Sequence, residues 1–272
     1  MNSPLVSILI VHYNTPRLLR QTLKGIRLVN LALPYEIIVV DNNPESRLSS
    51  ELKTEFSEVR WLTASSNLGF GQGMNLAMQE AAGQHFLIFN PDIVLLPGAI
   101  EELVDFLETH QEVGLVAPQL LNPDRSLQYS CYQFMKPLTI LSRRLPGFRS
   151  WPLARREENE YLMMAWDHRS TRAVDYVLGA VMLVRREAVK QVGGFDPTFF
   201  IYFEDQDWCR RFWQAGWQVI YHPLSTMIHY HRRETAHGGL FTQLFNPLTR
   251  RQIKSALYYY RKYWRSPSPR SR

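Results

Sequence analysis

Val6-Ser7-Ile8-Leu9-Ile10-Val11-His12-Tyr13-Asn14 is the stretch from which the rest of the fold can be read. Val6 to Val11 is an apolar run of the kind that a parallel sheet buries on both faces. It is too short for a secretory signal or a membrane span and has no basic region before it. The run stops at polar His12-Tyr13-Asn14. Thr15 then offers an N-cap, Pro16 suits the first helical turn, and Leu19, Leu23 and Ile26 recur at helical spacing. The unit is strand, polar loop, helix.

Working outward, the unit repeats. Glu36 to Val40 predicts a second strand, stopped by Asp41-Asn42-Asn43-Pro44, with a helix across Leu48 to Phe56. Val59 to Leu62 gives a third strand, followed by Asn67-Leu68-Gly69-Phe70-Gly71-Gln72-Gly73-Met74-Asn75 and a helix whose inner face is Met74, Ala77, Met78 and Ala81. Phe86 to Phe89 is the fourth strand and ends at Asn90-Pro91-Asp92. Alternation at this spacing means βαβ units, and in such sheets ligands bind beyond the carboxyl ends of the strands, where Tyr13, Asp41 and Asp92 fall.

The second half is less regular. Phe134 to Arg156 holds six basic residues, no acid and three prolines among apolar residues, and reads as an irregular or partly helical insertion. Gly193-Gly194-Phe195-Asp196-Pro197-Thr198-Phe199-Phe200-Ile201-Tyr202-Phe203 then leads into Glu204-Asp205-Gln206-Asp207 and a short amphipathic helix. Asp207 suits a helix start, where the dipole favours a carboxylate. Glu204 and Asp205, beside four aromatic residues, are expected to gain basicity by desolvation, as a general base requires.

The 272 residues suffice for one large domain or two small ones, and 45% hydrophobic content supports a substantial core. Cys131 and Cys209 make neither a disulfide framework nor a metal-ligand spacing and read as core thiols. The net charge is +6, yet from Thr235 onward there are eight basic residues and no acid, so the rest is mildly acidic. That asymmetry points to an anionic surface as partner. In this tail Ile253, Leu257, Tyr260 and Trp264 form one helical stripe beside Lys254, Arg261 and Arg265, fit either to lie in a membrane interface or to dock on the domain.

The chemistry narrows by exclusion. Gly69-Phe70-Gly71-Gln72-Gly73 lacks the dinucleotide spacing and follows the third strand rather than the first; no P-loop and no G-x-S-x-G occurs. A sugar-1-phosphate nucleotidyltransferase would carry a basic Gly-rich loop where His12-Tyr13-Asn14-Thr15-Pro16 stands. Asp92 and His229 are donors suited to Mg²⁺ or Mn²⁺, with His222 and His231 as nearby alternatives to His229. Asp41 and Asp92 also fit simple turn formation before or after proline.

Taken together, these motifs resemble the inverting family 2 glycosyltransferases of GT-A fold, especially the rhamnosyltransferase-like members, over about residues 5 to 232. Val6 to Asn14 looks like their first strand, Val39-Val40-Asp41-Asn42 their second, Asn67 through Asn75 their N-x-G-x-x-x-x-x-N loop, and Gly193 through Arg211 their E-D-x-D signature. The resemblance implies an α/β fold with a mostly parallel central sheet flanked by helices and a basic C-terminal helical extension. The implied division is a catalytic domain over 1–235, with a basic insertion at 134–172, and a tail over 236–272.

It implies site roles as well. Val11, Tyr13, Asn14, Asp41, Asn67, Gly69, Asn75 and Asn90 would hold the nucleotide-sugar donor, with Asp41 accepting from a pyrimidine imide. Asp92 and His229 would bind a divalent metal, Asp205 would be the base, and Glu204, Gly179 and Ala180 would shape the acceptor pocket. The family's D-x-D is here Asn90-Pro91-Asp92, so its first acid is absent. The expected activity is transfer of a deoxyhexose, L-rhamnose from dTDP-rhamnose, to a lipid-linked or polysaccharide acceptor in cell-envelope polysaccharide synthesis. UDP- or GDP-linked donors and a catalytically inactive sugar-nucleotide-binding subunit are the alternatives. The expected setting is cytoplasmic, peripheral at the inner face of the cell membrane, with a homodimer possible and nucleic acid not among the partners.

Overall fold

A computed structural model describes residues 3–45, 48–144, 147, 150–230 and 246–270. The first half follows the repeating unit closely: β1 (Val6–His12), α1 (Pro16–Val29), β2 (Tyr35–Asp41), α2 (Ser50–Glu55), β3 (Val59–Thr63), α3 (Gly69–Glu80), β4 (His85–Phe89), β5 (Ile93–Val94) and α4 (Ala99–Thr109). The second half brings β6 (Val113–Leu121), β7 (Leu127–Gln128), β8 (Cys131–Tyr132), α5 (Pro137–Arg144), α6 (Pro152–Tyr161), β9 (Arg172–Ala173), β10 (Tyr176–Val177), β11 (Val181–Arg185), α7 (Arg186–Val192), α8 (Glu204–Gln214), β12 (Gln218–His229) and α9 (Pro247–Lys262).

The main sheet runs β3-β2-β1-β4-β11-β6-β12-β5. Strands β3, β2, β1 and β4 are parallel, as are β6 and β12, while β11 is antiparallel to both of its neighbours. All seven residues of β1 are buried. Alternation within that run divides the core. Ile8 and Ile10 point to the side covered by α1 and α4, and Leu9 and Val11 to the side covered by α3 and α8.

Local details depart from the sequence expectations for identifiable reasons. Thr15 sits at the N-cap of α1 but makes no side-chain cap; its N–H instead donates to His12 Nε2 at 3.0 Å. Two helices begin in the segment 134–156, because Pro137 and Pro152 each start one and Lys136, Arg143, Arg155 and Arg156 turn outward. Two short apolar runs, one ending at Tyr221 and the other at Ile228-His229, belong to one element, β12, with a register shift between His222 and Thr226. His231 and His237 lie outside the described residues.

The tail helix α9 packs on the domain, but through a different face from the one expected. Ala256 and Tyr259 are buried with Phe199 and Phe203. Ile253, Leu257 and Trp264 face solvent, the last at 79% exposure. The periodicity was compatible with either face inward; what decides it is that the buried side offers hydroxyls and an ammonium to a polar loop, described below.

The loop between β3 and α3 is pressed against the segment before α8. Phe70 N–H donates to Phe200 O at 3.0 Å. Gly69 has φ +77°, and a Cβ there would stand 2.2 Å from Phe200 O. Gly69→Ala is therefore expected to destabilise the protein by about 2–4 kcal/mol. Chemical denaturation checks this, with Gly25→Ala, inside α1 and meeting open space, as the control that raises the midpoint slightly, as helix propensity dictates.

Candidate functional site

The carboxyl ends of β1, β2 and β4 and the start of α8 converge on one edge of the sheet. At the β1 and β2 ends, Asp41 is buried and fully enclosed. Its Oδ1 lies 3.3 Å from His12 Nδ1, and its Oδ2 accepts from Leu48 N–H at 3.0 Å. Because His12 Nε2 accepts from Thr15 N–H, the ring proton is on Nδ1, facing Asp41. Burial pushes the His12 pKa down, so the ring is neutral and donates without adding charge. Asn42 stitches two loops together. Its Nδ2 donates to Gly69 O at 3.0 Å and its Oδ1 accepts from Leu68 N–H at 2.9 Å.

The remaining residues expected to hold the donor fall into two groups. Tyr13 is exposed, Val11 is buried against Gly73, and Asn14, at φ +56°, accepts a hydrogen bond from Asn43 Nδ2. These three border the open edge. Asn67 and Asn75 are occupied within the protein: Asn67 Oδ1 accepts from Gly69 N–H, and Asn75 bonds both Phe195 N–H and Phe195 O, each at 2.8 Å. Asn75 thus ties α3 to the Gly194-Phe195 turn.

Asn90 N–H donates to Ala180 O at 2.9 Å, continuing the antiparallel pairing in which Phe89 faces Val181. One residue before Ala180, Gly179 N–H donates to Asp205 Oδ2 at 3.2 Å. Two residues after Asn90 stands Asp92. A single backbone crossing therefore joins the two acids at the same sheet edge, and Asp205 has no cationic partner among the described residues.

The three acids that open α8 have three environments. Glu204 is buried, and burial together with the Asp205 charge pushes its carboxyl well above the usual range, favouring the neutral form. Asp205 is half-buried. Desolvation pushes it up to about 6, against bonds from Gln206 and Gly179 N–H that favour the ionised form. Asp207 is fully buried and paired, with Arg211 Nε and Lys262 Nζ at 2.8 and 2.7 Å and the Tyr263 hydroxyl at 2.8 Å.

Sequence reasoning did not foresee what holds this turn. Tyr202 and Phe203 have φ +68° and +70°, left-handed conformations that aromatic residues rarely adopt. Helix α9 braces them: Ser255 Oγ donates to Ile201 O at 2.9 Å, and the Phe203 ring packs on Tyr259. Lys262 also bonds Asp196 at 2.7 Å. Burial would raise the Asp196 carboxyl, but hydrogen bonds from Lys262 and Thr198 hold it down to about 2. The available signal was a basic helix at one end of the chain and two uncapped acids in the 193–211 stretch.

Asp92 and His229 come together, with His229 Nε2 3.4 Å from Asp92 Oδ1. Gln128 Oε1 lies 2.6 Å from His229 Nδ1, while Gln128 Nε2 donates to Asn122 Oδ1. That fixes the amide and places an imidazole proton on Nδ1, leaving Nε2 as the nitrogen that faces the acid. Asp92 Oδ1 accepts no hydrogen bond among the described residues. A carboxylate oxygen and an imidazole nitrogen facing one another fit a divalent cation that takes its other ligands from phosphate and water. No group of three or more His, Cys, Asp or Glu side chains suited to a metal occurs among the described residues.

Residues 3–253 match the family described as glycosyltransferase like family 2, and the chain belongs to that family. It is 28% identical over 218 residues to the N-acetylglucosaminyl-diphospho-decaprenol L-rhamnosyltransferase of Mycobacterium tuberculosis, covering 74% of this chain and 68% of that one. It is 26% identical to the rhamnosyltransferase WbbL of Escherichia coli, covering 72% and 73%. Among solved structures, the mannosyltransferase PcManGT of Pyrobaculum calidifontis, in complex with GDP-Man and Mn²⁺, superposes with TM-score 0.62 at 17% identity, over 99% of this chain and 67% of that one. GalNAc-T7 with UDP, GalNAc and Mn²⁺ gives 0.60 at 15% identity over 86% of this chain, which spans only 45% of that protein. These likenesses show the fold, the GT-A architecture with its mostly parallel sheet flanked by helices.

Two outcomes follow from the site. Asp205 holds its proton more tightly folded than unfolded, so this group stabilises the fold below about pH 4 and that stabilisation is lost as pH rises through about 6. Asp205→Asn is then expected to gain on the order of 1–2 kcal/mol at pH 7.5, allowing for partial exposure, and to gain nothing at pH 4. Thermal melts at the two pH values check it. Lys262→Met, which strips a cation from buried Asp207, is expected to cost about 2–4 kcal/mol in urea unfolding, while Arg265→Met on the exposed side costs under about 0.5 kcal/mol.

Proposed function

We propose that this protein is an inverting glycosyltransferase that moves L-rhamnose from dTDP-rhamnose to a sugar hydroxyl on a lipid-linked acceptor. The observation that carries the reading is that a desolvated Asp205, with no cationic partner among the described residues, stands at the same sheet edge as Asp92 and His229, on the other side of the Asn90–Ala180 crossing. The rhamnosyltransferase relatives support the choice of sugar, and the printed name of the mycobacterial one supports a diphospholipid acceptor.

In this reading Asp205 takes the proton from the acceptor hydroxyl as its oxygen bonds to the anomeric carbon and the bond to the donor diphosphate breaks on the opposite face. Gly179 and Gln206 N–H hold the carboxylate in place through one lone pair on each oxygen, leaving the others for the incoming proton. Burial favours the neutral form of Glu204, which limits negative charge beside the base. Asp92 and His229 would hold a divalent ion that neutralises the departing diphosphate. Asp41, oriented by neutral His12, lies at the end where the donor's base would sit.

The C-terminal helix supports a membrane-surface setting. Its outward side carries Ile253, Leu257 and Trp264 between Arg250, Lys254, Arg261 and Arg265, with no acid, and no helix among the described residues is long and apolar enough to cross a membrane. Deleting α9 would also unbrace the turn before α8, so the informative change is on the outer face. Leu257→Glu with Trp264→Glu is expected to weaken binding to phosphatidylglycerol vesicles about tenfold or more while leaving transfer to a soluble acceptor intact.

The enzymatic test uses dTDP-rhamnose, Mg²⁺ or Mn²⁺ and an N-acetylglucosaminyl-diphospholipid acceptor. Asp205→Asn should retain donor binding and lose transfer by about 10²–10⁴-fold. In the wild type, kcat/KM for the acceptor should fall about tenfold per pH unit below about pH 6 and level off above it. Near-wild-type transfer by Asp205→Asn would remove the base assignment. Thermal-shift comparison of dTDP-, UDP- and GDP-sugars identifies the donor, because a ligand that binds only the native state raises the midpoint.

A further inference from the structure

Away from the sheet edge, the insertion encloses an open cavity of about 740 Å³ between α6 and β9. Arg155, Arg156 and Arg172 line it, and its one lining carboxylate, Glu160, is bonded to Arg156 at 2.9 Å. Arg155 and Arg172 pair with no carboxylate among the described residues, although the Arg172 guanidinium stands over the Trp166 ring, 5.2 Å from its centre. The α6 face is regular. Pro152, Arg155, Arg156, Asn159 and Glu160 fall one turn apart along one stripe and all line the space.

Two further observations give the cavity a direction. Gln133, on its wall, donates its N–H to Tyr161 O at 3.0 Å and follows Tyr132, which stacks on Tyr161 with ring centres 4.9 Å apart. Tyr161 and Tyr176 share a hydrogen bond of 2.6 Å, and the chain runs from Tyr176 in β10 directly into Gly179, whose N–H donates to Asp205 Oδ2 at 3.2 Å. The cavity therefore adjoins the same tyrosine cluster as the base. At its rim, exposed Trp151 and Leu153 flank Pro152, and exposed Met164 follows lining Met163. Positive charge inside and large apolar side chains at the edge suit an amphiphilic anion.

We propose that this cavity binds the diphosphate of the acceptor, a sugar diphosphate ester with an apolar tail, between the guanidiniums of Arg155 and Arg172. The assignment rests on the transferase reading above and deepens it. In a diphosphate-linked sugar the reacting hydroxyl and the phosphates are separated by one ring, so a base on one side of the tyrosine cluster calls for an anion site beside it. Guanidinium forks match phosphate oxygens two at a time, and the tail would leave past Trp151 and Leu153 toward the apolar outer face.

The test titrates the full chain, without donor, against geranyl diphosphate, inorganic pyrophosphate and phosphatidylglycerol vesicles in separate arms. Geranyl diphosphate is expected to bind wild type and Asp92→Asn equally, and to bind the Arg155→Ala, Arg172→Ala double variant about tenfold more weakly or worse. Pyrophosphate should show the same arginine dependence at lower affinity, and Arg155→Lys with Arg172→Lys should recover part of the loss. Both arginines are exposed, so melts of the variants should match the wild type. Binding that survives the double alanine change, binding lost only in Asp92→Asn, or an arginine dependence seen with vesicles alone would each overturn the assignment. Because no turnover is needed, arginine-dependent binding by a protein that transfers no sugar would count against the transferase reading and leave the cavity standing.

Discussion

The pairing of β11 with β4 is the constraint on which everything else depends. A strand arriving from the second half of the chain enters the middle of a parallel sheet in the opposite direction, with Val181 opposite Phe89 and Arg185 opposite His85. All five residues of β11 are buried, with Val181 and Leu183 packed on one face and Met182 and Val184 on the other, so a slip of register would misfit side chains on both sides at once. Its consequence is positional. Gly179 and Ala180, just before β11, are held against Asn90, just after β4, and Asp205 is bonded to Gly179. Neither half could place Asp92 and Asp205 on the same edge alone.

Given that placement, the chemistry comes from unequal treatment of neighbouring acids. Within four residues, Glu204 has burial without compensation, Asp205 has burial offset by two backbone N–H groups, and Asp207 has two cations and a phenol. The middle one, pushed up to about 6, changes its charge near neutral pH. The arrangement depends on α9, since Lys262 and Tyr263 occupy Asp207 and Ser255, Tyr259 and Tyr260 support the left-handed turn at Tyr202-Phe203. Strain in that turn is tolerated because packing on both sides fixes it.

Much of the first half was legible from the amino-acid order, because β1 to β4 and their helices obey local rules: apolar runs at strand length, helical periodicity, and turn residues at each junction. The antiparallel insertion of β11, the fusion of two short apolar runs into β12 and the inward face of α9 were not, since each is decided by a partner far away in the chain. The same holds within the site. Asp205 and Asp92 stand out as acids next to aromatic or proline residues, whereas the service of Asn75 in anchoring Phe195 and of Gln128 in setting the His229 tautomer depends on contacts 120 and 101 residues away. Asn90-Pro91-Asp92 showed its missing acid plainly; the meeting of His229 with Asp92 was expected from the family resemblance, and the pairing of β12 with β5 is what brings it about.

Strand β11 also works as a partition. The residues proposed to grip the donor are on β1, β2, α3 and the end of β4, while the insertion with its tyrosines and arginines lies wholly beyond it. Under the assignments proposed above, changes in α5 or α6 would act on the acceptor and changes around Tyr13 and Asn42 on the donor, while β12, which pairs with β9 and carries His229, serves both sides. A lineage built on this scaffold can explore the two choices separately, as though they were carried on interchangeable parts.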